Sequence, residues 1–230
     1  MLRSLYFVHL LCATGTAWVL PGLRSSNALR LRQKILVKSS NGGGGAGGLR
    51  AEDFTGMAWD AIQKMPTIAE EARQQSVDTE MLLKALLDQG DKGVAQRLIT
   101  QAGADPGSMK VGVDAFIQKL PKISGSPSSQ SKTIGSTLQK VLKEAADLKT
   151  KMGDSFIAVD VLMVALATAD NRFTIPFLNR YPVSLMDVKA ALEKMRGGKK
   201  VTTQQAESSF DALLLYGRDL TEAAAEVWAQ

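Results

Sequence analysis

The 230 residues, 45% apolar and 22% charged, have the composition of a soluble globular chain, with enough apolar material for a real core and room for one or two domains. The formal net charge of +5 is unevenly placed: residues 1–51 carry 7 of the 28 Lys and Arg and no acid, so residues 52–230 hold 21 basic against 23 acidic side chains, a net of −2. That balance leaves no basic stripe to displace counterions from a nucleic acid, and the single cysteine, Cys12, and single histidine, His9, both precede residue 52, which excludes a His- or Cys-based nucleophilic centre, a Cys/His zinc site and a disulfide from the remainder.

The chain opens with a short basic start at Arg3, followed by an apolar run over residues 5–20 of signal-peptide type, too short to span a membrane with ease. Residues 21–49 bear Arg, Lys, Ser and Gly without acids, the composition of an organelle transit peptide. A signal-like segment over 1–22 and a transit-like segment with a Gly-rich linker over 23–51 make a bipartite leader. It resembles presequences that deliver proteins into plastids bounded by extra membranes, with a mitochondrial presequence as the alternative, and it predicts no membrane partner for the mature chain. The tract GGGGAGG at residues 42–48 has no Lys and no preceding strand, so it reads as a flexible linker and not a phosphate loop.

Beyond residue 51 the helical period dominates. Met109, Val113, Phe116, Ile117 and Leu120 form one apolar stripe; Leu138, Val141, Leu142, Ala145 and Leu148 form another. Gly103, Pro106, Pro121, Gly125 and Pro127 punctuate the chain between them, and no run of strict apolar alternation stands out. The prediction is all α.

An internal repeat organises these helices. Residues 77–87 (VDTEMLLKALL) align without a gap on residues 157–167 (IAVDVLMVALA) at an offset of 80, and residues 113–120 (VDAFIQKL) match 188–195 (VKAALEKM) at an offset of 75. Copy one covers about 52–123 and copy two about 131–198, with a linker and connector helix over 199–230. Residues 161–166 are apolar nearly all round and must be covered by neighbouring helices, so the two copies should form one compact, pseudo-twofold bundle.

Particular residues carry a family resemblance. Phe54, Thr55, Met57, Ala58 and Trp59, then Val77, Asp78, Thr79 and Glu80 ahead of an apolar helix, resemble the Clp amino-terminal repeat. In copy two, Gly153, Asp154, Ser155, Phe156 and Ile157 are similar to the family's Gly-Asp-x-Phe-Ile turn, and Met195, Arg196, Gly197 and Gly198 to the stretch that ends the domain in ClpB-type disaggregases. Phe210 to Leu213 and Tyr216 to Thr221 resemble the helix leading into the first ATPase module. Trp59, Pro66 after the first helix, and Phe116, Ile117 and Pro121 are closest to cyanobacterial and plastid members. Two departures are Met81 in place of the usual His and Val161 in place of the commoner Leu; both keep core-compatible side chains. The family's AAA+ modules are not expected in this chain, since the nearest phosphate-loop candidate, residues 125–133, has Ser131 where Gly must precede Lys132.

The resemblance implies a non-catalytic module that engages unfolded or aggregated client proteins or adaptors through an apolar groove edged by polar groups, without cofactor or metal. Its client contacts carry over to Thr55, Asp154 and Asp160, with Val161 on the apolar wall. On the residues alone, Thr55 and Asp154 also fit helix N-caps, Asp160 a solvated helix-face charge and Val161 a core position. Partners would be clients or adaptors, an AAA+ Clp or ClpB hexamer, or a Clp protease core on which the chain docks as an accessory subunit. A further alternative is the amino-terminal fragment of an ATP-driven disaggregase.

Overall fold

The computed structural model describes residues 50–90, 93–122 and 132–207. The leader, most of the Ser/Pro-rich stretch between the repeats, and the connector segment from residue 208 lie outside the described residues.

Eight helices make up the described part: α1 (Gly56–Glu71), α2 (Thr79–Leu87), α3 (Val94–Gln101), α4 (Pro106–Lys119), α5 (Ser136–Met152), α6 (Val159–Ala169), α7 (Thr174–Leu178) and α8 (Leu185–Arg196). Helices α1–α4 and α5–α8 are the two copies. Local chemistry sets most of the boundaries. The Asp105 carboxylate accepts the Gly107 and Ser108 N–H groups with Pro106 opening α4, while Ser184 and Asp187 form a capping box at α8. Gly153 and Gly197 end α5 and α8 in the left-handed conformation, at φ of 69° and 54°.

Pro66 departs from expectation: α1 does not stop before it but runs on to Glu71. A proline inside a helix loses one backbone hydrogen bond and costs about 3 kcal/mol in isolation. The buried face of Ala58, Ala61, Ile62, Met65, Ile68 and Ala69 holds the helix together across it.

Helices α2 and α6, which occupy equivalent places in the two copies, are the centre of the core. Every residue of α6 from Val159 to Ala167 is buried, so the all-round apolar pattern is answered by cover from α5, α8, α3 and α7. The α4 stripe buries Met109, Val113 and Ile117, and the α5 stripe Leu138, Val141 and Ala145, with Phe116, Leu120, Leu142 and Leu148 packed half-buried at the margin. Met65 and Met81 lie fully inside the core and Met57 and Met152 pack against it. Phe116, Phe173, Phe177 and Tyr181 stack in series with ring centroids 4.4, 5.2 and 5.3 Å apart, tying copy one to copy two.

Two short main-chain pairings make the duplication exact in register. Strands β1 (Ser76–Val77) and β2 (Thr133–Ile134) pair in parallel, Val77 opposite Ile134. A single parallel bridge joins Phe54 to Ile157. Adding 80 to Val77 gives Ile157 and subtracting 80 from Ile134 gives Phe54, so the second pairing is the twofold mate of the first. Each places the starts of two helices, one from each copy, side by side.

Candidate functional site

The first junction joins the starts of α2 and α5. Asp78 is the N-cap of α2, and its Oδ1 accepts the Thr79 N–H at 3.0 Å and, across the junction, the Leu138 N–H of α5 at 3.1 Å. One carboxylate thus satisfies donors at two helix starts, where the dipoles favour a negative charge. The N-cap of α5 is Gly135, and a Cβ there would collide with the Asp78 carboxylate. Arg172 faces the same corner, 3.3 Å from Asp78 and ion-paired to the buried Glu80.

The second junction solves the same problem with other residues. The N-cap of α6 is Ala158, which has no side-chain acceptor. At the position equivalent to Gly135 stands Thr55, so by the symmetry of the repeats its Cβ falls where one on Gly135 would meet the Asp78 carboxylate. Thr55 caps its own helix, its Oγ1 accepting the Ala58 N–H at 3.3 Å. The missing carboxylate comes from far along the chain: Glu207 accepts the Val159 N–H of α6 at 2.6 Å and the Thr55 hydroxyl at 2.5 Å.

Arg196, the last residue of α8, completes the cluster. Its Nε and Nη2 bind Asp160 in a two-pronged pair at 2.5 and 2.7 Å, and its Nη1 binds Asp154 at 2.6 Å. Asp160 also accepts the Val161 N–H at 2.7 Å, and Asp154 the Val201 N–H at 2.8 Å. The Arg196 and Asp154 side chains are 5% and 0% exposed, so both charges have left water. Burial opposes the Arg196 charge, but hydrogen bonds and fields from Asp160 and then Asp154 outweigh it and hold the guanidinium above its ordinary value. Burial pushes the Glu207 carboxyl up to about 7; the Thr55 and Val159 hydrogen bonds oppose the rise, the Asp160 charge adds to it and Arg196 counters it.

The segment after α8 lies across this cluster. Gly197 and Gly198, both at positive φ, turn the chain back on itself. Ser155 then donates its N–H to the Val201 carbonyl at 2.8 Å, and Gly56, the first residue of α1, donates to the Gln204 carbonyl at 2.9 Å. Val201 and Ala206 pack on Ala158 and Phe156 as a small apolar cluster separate from the main core.

The sequence-derived site residues therefore meet at one place, though not in the state expected. Thr55, Asp154 and Asp160 converge at the second junction, all buried. Asp154 caps no helix, and Asp160 is an ion-paired interior residue and not a solvated helix-face charge. Val161 is a fully buried residue of α6. Two further members, Arg196 and Glu207, were not singled out for a role. The signal for Glu207 lies in the repeat: aligning Asp78 with Ala158 at the offset of 80 exposes a helix start without its carboxylate.

A duplicated helical domain, with its polar cluster drawn from both copies and from the segment that follows them, is the class these features define. The chain belongs to the Clp repeat (R) N-terminal domain family, whose model matches residues 53–181. It is 36% identical over 176 residues to the chloroplastic chaperone protein ClpB2 of Oryza sativa subsp. japonica, covering 76% of this chain and 18% of that one. With the chaperone protein ClpB of Gloeobacter violaceus it shares 39% over 173 residues, 75% of this chain and 19% of the relative. The chain thus spans less than a fifth of the length of these relatives. Its fold is similar to that of the Hsp104 N-terminal domain from Candida albicans, with a TM-score of 0.57 at 20% identity over 68% of this chain and 99% of that one.

Proposed function

We propose that this domain is a non-catalytic protein-binding module that engages unfolded or aggregated clients, or adaptors, for a ClpB-type disaggregase. The contact surface is the seat at the second junction, where Thr55, Asp154 and Asp160 surround the starts of α1 and α6 and Val161 backs them from the core. The observation that carries this reading is the way the seat holds the chain's own segment 201–207. It uses main-chain N–H groups of Ser155 and Gly56, a carboxylate for a main-chain N–H, and an apolar shelf of Ala158 and Phe156. Contacts of that kind tolerate varied sequences, since every extended polypeptide offers the same backbone groups.

The reading holds whether the chain works alone or as the first part of a longer polypeptide. The chloroplastic naming of the rice relative and the acid-free, bipartite leader together favour delivery to a plastid. Titration calorimetry of the full chain against a permanently unfolded model protein tests the function. Binding in the micromolar range, competed by a second unfolded protein of unrelated sequence, is the expected result; absence of any heat at high client concentration refutes it.

A further inference from the structure

The seat is already occupied. Every group that the proposed function offers to a client is engaged within the chain: Asp154 by Val201 and Arg196, Asp160 by Arg196, Thr55 by Glu207, Gly56 by Gln204 and Ser155 by Val201. The occupant makes contacts of the type expected for an external peptide and carries its own apolar side chains on the shelf.

We infer that segment 201–207 is a built-in, exchangeable occupant of this seat, and that the external ligand the seat takes in its place is a short peptide that turns as residues 203–207 do, with an apolar residue about six positions ahead of a carboxyl group. The inference rests on the proposed function for the location of the client surface and adds to it a gate and a ligand chemistry.

Three observations support exchange over a permanent clasp. First, the shelf under the strap is small: Val201 and Ala206 pack on Ala158 and Phe156 apart from the main core, so lifting them leaves the helical bundle intact. Second, the twofold mate of this junction shows that the fold can cap the same helix starts internally. Asp78 does so in copy one, from within the repeat and with Gly135 making room. In copy two Ala158 and Thr55 leave the carboxylate to be delivered from outside the repeat. Third, the Gly197 and Gly198 turn gives the strap a hinge at its root. The ligand chemistry follows from the occupant: Glu207 is the group that satisfies Val159 and Thr55 together, and Val201 is buried on the shelf.

The test uses the full chain in three forms: unaltered, Glu207→Ala, and Glu207→Ala with Val201→Ser, which weakens the strap while leaving the seat whole. A labelled, end-capped peptide of residues 200–207 is titrated into each by fluorescence anisotropy, beside the same peptide with Ala in place of its Glu. The expected result is peptide binding by the double variant at least about ten-fold tighter than by the unaltered chain, because the internal competitor is removed, with the Ala peptide weaker. Equal binding by unaltered and strap-weakened chains, or none by a double variant whose helicity is intact, overturns the inference.

Should the double variant fail to fold, amide hydrogen exchange on the unaltered chain decides. Exchange of the Gly56, Ser155 and Val159 amides well ahead of the α6 interior supports strap release, and exchange only with global unfolding overturns it. An unfolded client titrated into the same samples separates the two ideas. Client binding that ignores the strap changes sinks the gate and leaves the proposed function standing, whereas peptide binding without client binding sinks the proposed function alone.

Discussion

Replacing Arg196 with alanine would leave two carboxylates in the interior with no cation between them. Asp154 would keep only the Val201 N–H and Asp160 only the Val161 N–H, against the three guanidinium bonds both now share. Removing one partner of a buried pair costs about 3–5 kcal/mol, because the remaining charge stays desolvated. Against a total stability of about 5–15 kcal/mol for a domain of this kind, that is a large share. Urea unfolding followed by far-ultraviolet circular dichroism should show the midpoint falling with little change in slope. A variant with Arg196→Met, Asp154→Asn and Asp160→Asn, which strands no charge, should recover about 2 kcal/mol or more of the loss. A loss under about 1 kcal/mol for Arg196→Ala, the level of an exposed pair, would refute the claim that this cluster is a buried, mutually dependent unit.

The repeat comparison gives a second test: Ala158→Asp alone should destabilise the fold by about 1–3 kcal/mol, because Thr55 leaves its carboxylate no room, whereas Ala158→Asp with Thr55→Gly should rebuild the copy-one junction and recover most of that loss. Thermal denaturation of the three chains reads the difference. Gly135→Ala should cost a similar amount, about 1–3 kcal/mol, by driving the Asp78 carboxylate off the Leu138 N–H. Gly112→Ala should also destabilise, since its Cβ would run into the Tyr181 hydroxyl and the Phe177 ring, and near-ultraviolet circular dichroism should report the disturbed aromatic stack.

Strap docking should also depend on pH. Glu207, facing Asp160, Arg196 and the Thr55 hydroxyl, has a docked value of about 7 against an ordinary 4.5. The docked state therefore holds its proton more tightly, and its advantage is full below 4.5 and lost as pH rises through 7. The span sets an upper limit of about 3 kcal/mol, and protection of the Gly56 and Ser155 amides should fall between pH 5 and 8 in the unaltered chain but stay level in Glu207→Gln.

The fold was legible because duplication leaves its mark on helices that must be buried. The match of residues 77–87 to 157–167 rests on apolar side chains that α2 and α6 place at the centre of the core, where substitution is confined to residues of similar size. Pro66 misled because a helix boundary read at a proline assumes that the lost hydrogen bond decides, whereas the buried face of α1 outweighs it. The site was legible only in part. Thr55, Asp154 and Asp160, named from the resemblance, come together in the structure. Their burial could not be read, because it depends on Arg196, 36 residues from Asp160, and on Glu207, 152 residues from Thr55. Charges on separate segments carry no periodicity that would announce a pair. What the sequence does hold is the contrast between Asp78 with Gly135 and Ala158 with Thr55, legible once the repeats are aligned.

That contrast bears on why two copies of one unit are not used alike. Both junctions set two helix starts side by side, and both need an acceptor for the orphan N–H groups they create. Copy one meets the need from inside: Asp78 cannot leave without unravelling the first turn of α2, so this end of the molecule is closed. Copy two meets it through a hydroxyl that serves its own helix and a carboxylate on a segment that belongs to neither copy. A helix start capped from outside its own repeat can be uncapped without breaking the repeat, and the groups then exposed are those that any extended polypeptide can satisfy. On the proposed function, the asymmetry within an otherwise twofold frame would confine binding to one end of the domain, and the inferred strap would place the control of that binding in the segment that leaves the domain after α8.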